Sequence, residues 1–192
     1  MPAHLLDRPR QEIAPHRTEV RVAALVAVAW ALWASGPGWV TPAVVVAAAA
    51  GGALAVIDAR THRLPNAITY PTTAVVALLL VAAAAAGDTW QALTRSAVGA
   101  ALLGTCYLLL HLVHRAGMGL GDVKLAVLLG GVSAWFGWGA LLGAGVLPFF
   151  VGGLASLVLI VLRRATRDTA IAFGPFMLLG TALAISGSRL TA

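Results

Sequence analysis

The sequence predicts an all-α fold: a polytopic bundle of about seven transmembrane helices, six at the least. Three observations predict it. Of the 192 residues, 60% are hydrophobic and only 10% charged, and the mean hydropathy is +0.90, far from the balance of a soluble globular domain. Apolar runs recur along the whole chain, several of them reaching the roughly 20 residues that a helix needs to cross a bilayer core. Basic residues collect between alternate runs, the pattern that orients membrane helices.

The first 21 residues are polar, with Pro2, Pro9 and Pro15, and are expected to form an N-terminal tail ahead of one membrane-embedded domain, 22–192. Arg17 and Arg21 ahead of the run 22–35 resemble the start of a signal peptide. No small-residue cleavage site closes that run and another follows within a few residues, so it is read as a retained span. Gly36-Pro37-Gly38 breaks the chain before the second run, 40–57. Pro65-Asn66 opens the third, 68–86, since proline suits a first helical turn whose N–H has no partner to lose. Gly87-Asp88 separates it from the fourth, 89–110. Gly117, Gly119 and Gly121 precede the fifth, 123–137, and a tight turn within Trp135–Gly139 leads to the sixth, 140–162. Gly174-Pro175 shapes the start of the seventh, 172–187. The first, fifth and seventh runs are short or interrupted by glycine, which is why the count stands at six to seven. Gly51, Gly52, Gly99, Gly104, Gly130, Gly131, Gly143, Gly145, Gly152 and Gly153, many beside alanine, predict helices that approach closely.

Charge sets the orientation. With the N-terminus in the cytoplasm and seven alternating spans, the cytoplasmic side holds Arg8, Arg10, Arg17, Arg21, Arg60, Arg63, Arg115, Lys124, Arg163, Arg164 and Arg167, and the far side only Arg95 and Arg189. Reversal would invert this positive-inside bias. The net charge of +6 and pI of about 11.1 therefore reflect orientation and attraction to anionic lipid headgroups, and no nucleic-acid partner is expected. Cys106, the single cysteine, offers neither an internal disulfide nor a multi-cysteine metal site and is expected to be a small buried residue.

Only seven residues are acidic, and two stand out. Asp58 ends the second run within DARTHRLPN; Asp122 begins the fifth within GMGLGDVK. The charge-derived topology puts both on the cytoplasmic side, although neither was used to choose it. An acid near the bilayer with no function is a costly thing to keep. Asp58 can be an interfacial acid balanced by Arg60 and Arg63, and Asp122 a plain helix N-cap. The N-cap reading leaves the three glycines unexplained. Such a segment is expected to be looped or extended, with positive φ available and its backbone open to close approach, and such backbone survives at membrane depth only when protein or water surrounds it. Lys124 is expected near Asp122 or a lipid phosphate. Two carboxylates held close can share one proton: one takes a proton from water while the other polarises a carbonyl, giving peptide hydrolysis without metal or cofactor. A metal site from His111, His114 and an aspartate is weaker, since no HExxH-like unit supports it. Asp168 is expected to balance Arg163, Arg164 and Arg167.

Asp58 with Leu64-Pro65-Asn66, the stretch Gly119-Leu120-Gly121-Asp122-Val123-Lys124, and Phe173-Gly174-Pro175-Phe176 together resemble the type IV prepilin peptidases, membrane aspartyl proteases of the GxGD class. The similar region covers about residues 40–187. The resemblance implies an endopeptidase that removes the basic leader of prepilin or pseudopilin precursors at the cytoplasmic face of the cytoplasmic membrane, usually after a glycine. Asp58 and Asp122 would be the catalytic pair, and Pro65, Asn66, Gly119, Gly121, Lys124, Gly174 and Pro175 would shape the substrate site. Longer bacterial members carry a soluble insertion with paired cysteines, and many also methylate the new terminus. This sequence has no such pair, so the resemblance implies peptidase activity without methyl transfer, as in members serving tight-adherence or competence pili.

Two other classes compete. A transporter or channel would use its acids for proton or cation movement, but it calls for an acid deep in a span, and Asp58 and Asp122 lie at span ends. A non-catalytic assembly protein would tolerate single Asp→Asn changes at both positions.

Overall fold

The computed structural model describes residues 17–114, 118–164 and 172–190. They form seven helices, and no strand occurs among the described residues: α1 (Arg17–Ser35), α2 (Thr41–Thr61), α3 (Asn66–Gly87), α4 (Trp90–Val113), α5 (Leu120–Phe136), α6 (Trp138–Val161) and α7 (Gly174–Leu190). Each expected span corresponds to one helix. Residues 1–16 of the expected tail, with Arg8 and Arg10, lie outside the described residues, as do Arg115, Gly117, Arg167 and Asp168.

Five helices, α1, α2, α3, α4 and α6, are long and apolar enough to cross a membrane; α5 and α7 have 17 residues each. Large apolar side chains such as Leu25, Leu78, Leu142, Phe150 and Val161 are exposed around the bundle. In water such a surface would drive aggregation, whereas lipid tails are its natural solvent. The chain is a multi-pass membrane protein.

One core joins all seven helices. Ala31, Val44, Val76, Leu103, Leu125, Leu141 and Met177, one from each, are buried in it. Where small residues meet, helices touch backbone to backbone: a Cβ on Gly130 of α5 would lie 2.5 Å from the carbonyl oxygen of Gly99 on α4. Between spans without a strong hydrophobic drive to associate, such contact supplies much of the cohesion.

The connections follow local chemistry. Helix α2 ends at His62, whose φ of 51° is left-handed and whose N–H donates to the Asp58 carbonyl at 2.8 Å. Pro65 stands just before α3 as its N-cap, and the helix opens at Asn66. The expected Trp135–Gly139 turn reduces to Gly137, whose φ of 134° separates α5 from α6 and suits glycine. At this end Arg95 of α4 donates to the Trp135 carbonyl in the last turn of α5 and to the Ala134 carbonyl, which also accepts the Gly137 N–H at 3.2 Å. Cys106 corrects an expectation: it is exposed, because it is one position from the buried Tyr107 and the helix turns about 100° per residue.

Candidate active site

The end of α2 and the beginnings of α3, α5 and α7 converge at one end of the bundle. Three contacts hold them. Gly121 approaches the α2–α3 connection so closely that a Cβ there would meet the Leu64 Cβ at 2.9 Å. Lys124 Nζ of α5 donates to Asn66 Oδ1 of α3 at 2.8 Å. The Gly174 N–H of α7 donates to Asp58 Oδ2 at 3.0 Å.

Asp58 is 5% exposed and Asp122 8%. Each carboxylate is held by a backbone N–H at a helix start, where unpaired donors and the helix dipole favour negative charge. Asp58 reaches across to α7. Asp122 turns back within α5: as the third residue of the helix it accepts from the Gly119 N–H at 3.1 Å. This is one arm of a capping box, since Gly119 has no side chain for the reciprocal bond, and the Gly119 carbonyl instead accepts the Asp122 N–H at 3.1 Å. Among the described residues neither carboxylate has a salt-bridge partner; Arg60, which could have screened Asp58, pairs with Glu19 of α1 at 2.9 Å.

The two acids feel each other. Asp122 lies ahead of the apolar run 123–137, at the end of the bundle, and its carboxyl is raised to about 6. Burial is the main cause and the negative charge of Asp58 adds to it, against the stabilising Gly119 N–H.

A model of the type IV leader peptidase family matches residues 45–185, a stretch that includes both aspartates and the Gly174-Pro175 pair. The chain belongs to that family. Proteins described as "Prepilin leader peptidase/N-methyltransferase" are similar to it: one from Dickeya chrysanthemi is 35% identical over 71% of this chain and 45% of its own length. Another from Stutzerimonas stutzeri is 30% identical over 83% and 55%, and one from Escherichia coli (strain K12) is 36% identical over 67% and 55%. The chain thus spans about half the length of the curated relatives it matches. No solved structure matches it.

Within this leader-peptidase fold, the residues singled out in the sequence fall as follows. Asp58 meets Gly174, and Lys124 meets Asn66, while Asp122 bonds to Gly119, the N-cap of its own helix, and Gly121 packs on Leu64; Pro65 caps α3 and Pro175 is the second residue of α7. The GMGLGD segment matches expectation in part. Gly119 is extended at φ −78°, ψ 151°, and Gly121 already lies in α5; at both, φ is not positive. The absence of a side chain at Gly121 allows the approach to Leu64. Lys124 also departs from expectation: its ammonium sits on Asn66 and 4.9 Å from the Tyr70 ring centroid, which ties α5 to α3 instead of neutralising Asp122. His111 Nδ1 lies 2.7 Å from the Met118 carbonyl, and among the described residues no three His, Cys, Asp or Glu side chains form a metal-binding group. Sequence reasoning missed Tyr107, fully buried at the core. As one of only two tyrosines, placed inside an apolar run, it was the available signal.

Proposed function

We propose that the chain is an aspartic endopeptidase that removes the basic leader from prepilin-like or pseudopilin precursors, using Asp58, Asp122 and a water. The observation that carries this reading is the burial of two carboxylates, each held by a backbone N–H and neither salt-bridged among the described residues, at one end of a membrane bundle. In this state one carboxylate takes a proton from water as the water oxygen attacks the scissile carbonyl carbon. The other, protonated, donates to the carbonyl oxygen. When the tetrahedral diol collapses, the acid that took the water proton passes it to the departing nitrogen, the other takes back a proton from a hydroxyl of the diol, and the C–N bond breaks, leaving a carboxylic acid, an amine and one proton on the pair. The roles exchange with the proton, so base and acid are not fixed to one residue.

The positive-inside distribution supports a cytoplasmic N-terminus and a site facing the cytoplasm, in the cytoplasmic membrane. A precursor whose basic leader stays on that side, with its apolar segment in the bilayer, would present the junction to the pair. Residues 22–192 would form the peptidase domain, with lipids around it. Pro65, Asn66, Gly119, Gly121, Lys124, Gly174 and Pro175 would shape the substrate path. Methyl transfer is no part of the reading.

Co-expression with pilin-like precursors tests it. Leader removal by wild type is expected, and its loss in both Asp58→Asn and Asp122→Asn while each variant still accumulates in the membrane. Cleavage surviving either substitution would sink the two-aspartate mechanism.

A further inference from the structure

Tyr107 of α4 is fully buried, yet among the described residues its hydroxyl has no hydrogen-bond partner. A buried hydroxyl left unpaired is destabilising, and phenylalanine would fill the same space without that cost. The ring is fixed from two sides: its centroid lies 5.8 Å from that of Phe149 on α6 and 6.4 Å from that of Phe173. Those two rings are themselves 5.1 Å apart. Phe173 immediately precedes Gly174, whose N–H holds Asp58. Tyr107 is also within electrostatic reach of Asp122. The ring that carries the unpartnered hydroxyl is thus packed against the segment that positions Asp58.

We propose that Tyr107 is a third catalytic residue, whose hydroxyl donates a hydrogen bond to the carbonyl oxygen of the scissile peptide and stabilises the negative charge that develops there. The proposal rests on the two-aspartate reading. The phenol keeps its proton throughout, so the balance of the hydrolysis is unchanged. What it supplies is a preorganised donor in a water-poor site, where such donors act most strongly because they need no reorganisation. The unpaired hydroxyl of the free protein finds its partner when substrate arrives.

The test compares wild type, Tyr107→Phe, Asp58→Asn and Asp122→Asn as purified full-length chains in lipid vesicles. The probe is a synthetic precursor with a basic leader, a glycine at the cut and a following apolar segment. Tyr107→Phe keeps the aromatic packing and removes one oxygen. Its kcat is expected to fall by ~100-fold, with KM within about threefold and a melting temperature equal to or above wild type. A wild-type kcat in Tyr107→Phe beside inactive aspartate variants would overturn the role of Tyr107 and leave the dyad intact. A lowered melting temperature, or a loss expressed wholly in KM, would also overturn it, by pointing to a structural partner or to uniform binding. Cleavage by either aspartate variant would instead remove the reading beneath the proposal.

Discussion

The Gly174 N–H and the Asp58 carboxylate, 116 positions apart in the chain, meet at 3.0 Å, so the start of α7 sets the orientation of an acid at the end of α2. Only glycine fits this approach: a Cβ at position 174 would lie 2.7 Å from Asp58 Oδ2. The obstructing atom is the tip of a side chain that can rotate, so the bundle can absorb the clash, but the carboxylate cannot keep its place. Gly174→Ala is therefore expected to fold with a melting temperature close to wild type and to lose leader processing by about 100-fold, the scale on which a misplacement of about 1 Å acts. Processing kinetics and thermal melting on the same preparation check both halves, and wild-type activity would show that Asp58 does not need this bond.

The raised Asp122 carboxyl gives a stability test with a definite sign. A buried acid with a folded-state pKa of about 6, against an ordinary value of 3.8, favours folding most when protonated. Its contribution is fully present below pH 3.8 and is lost as pH rises through 6. Asn resembles the protonated acid and can still accept from the Gly119 N–H. Asp122→Asn is thus expected to melt like wild type near pH 4 and to be the more stable protein above pH 7, by up to about 3 kcal/mol. Melting curves across that range decide it; a gap independent of pH would mean that the carboxylate is not held against ionisation.

The spans were legible because lipid demands long apolar runs, and breaks such as Gly36-Pro37-Gly38 and Gly87-Asp88 mark their ends plainly. Asp58 and Asp122 stood out for the same reason, being rare charges beside such runs. What the sequence could not convey is partnership across the bundle. Lys124 is two residues from Asp122, and proximity in sequence suggested a pair, yet the first turns of α5 carry its ammonium to Asn66 and Tyr70. Tyr107 and Cys106 are adjacent in an even apolar run, so periodicity alone did not say which faces inward. The bond from Gly174 to Asp58 depends on how α7 docks against α2, a long-range relation with no local signal.

The packing of small residues makes the last prediction a matter of comparing two glycines in helices. At Gly130 of α5 a new Cβ would stand 2.5 Å from the Gly99 carbonyl oxygen and 2.8 Å from the Leu103 Cβ. The first of these is backbone, which can give way only if α4 and α5 part. At Gly153 of α6 nothing lies within 4 Å of such a Cβ. Alanine improves helix propensity at both sites by up to about 1 kcal/mol, but at Gly130 overpacking of about 1–3 kcal/mol opposes it. Gly130→Ala is expected to lower the unfolding midpoint and Gly153→Ala to leave it unchanged or raise it, in detergent titrations of both variants. Equal midpoints would mean that the α4–α5 contact is loose enough to admit a methyl group and that close backbone approach is not what holds these two helices together.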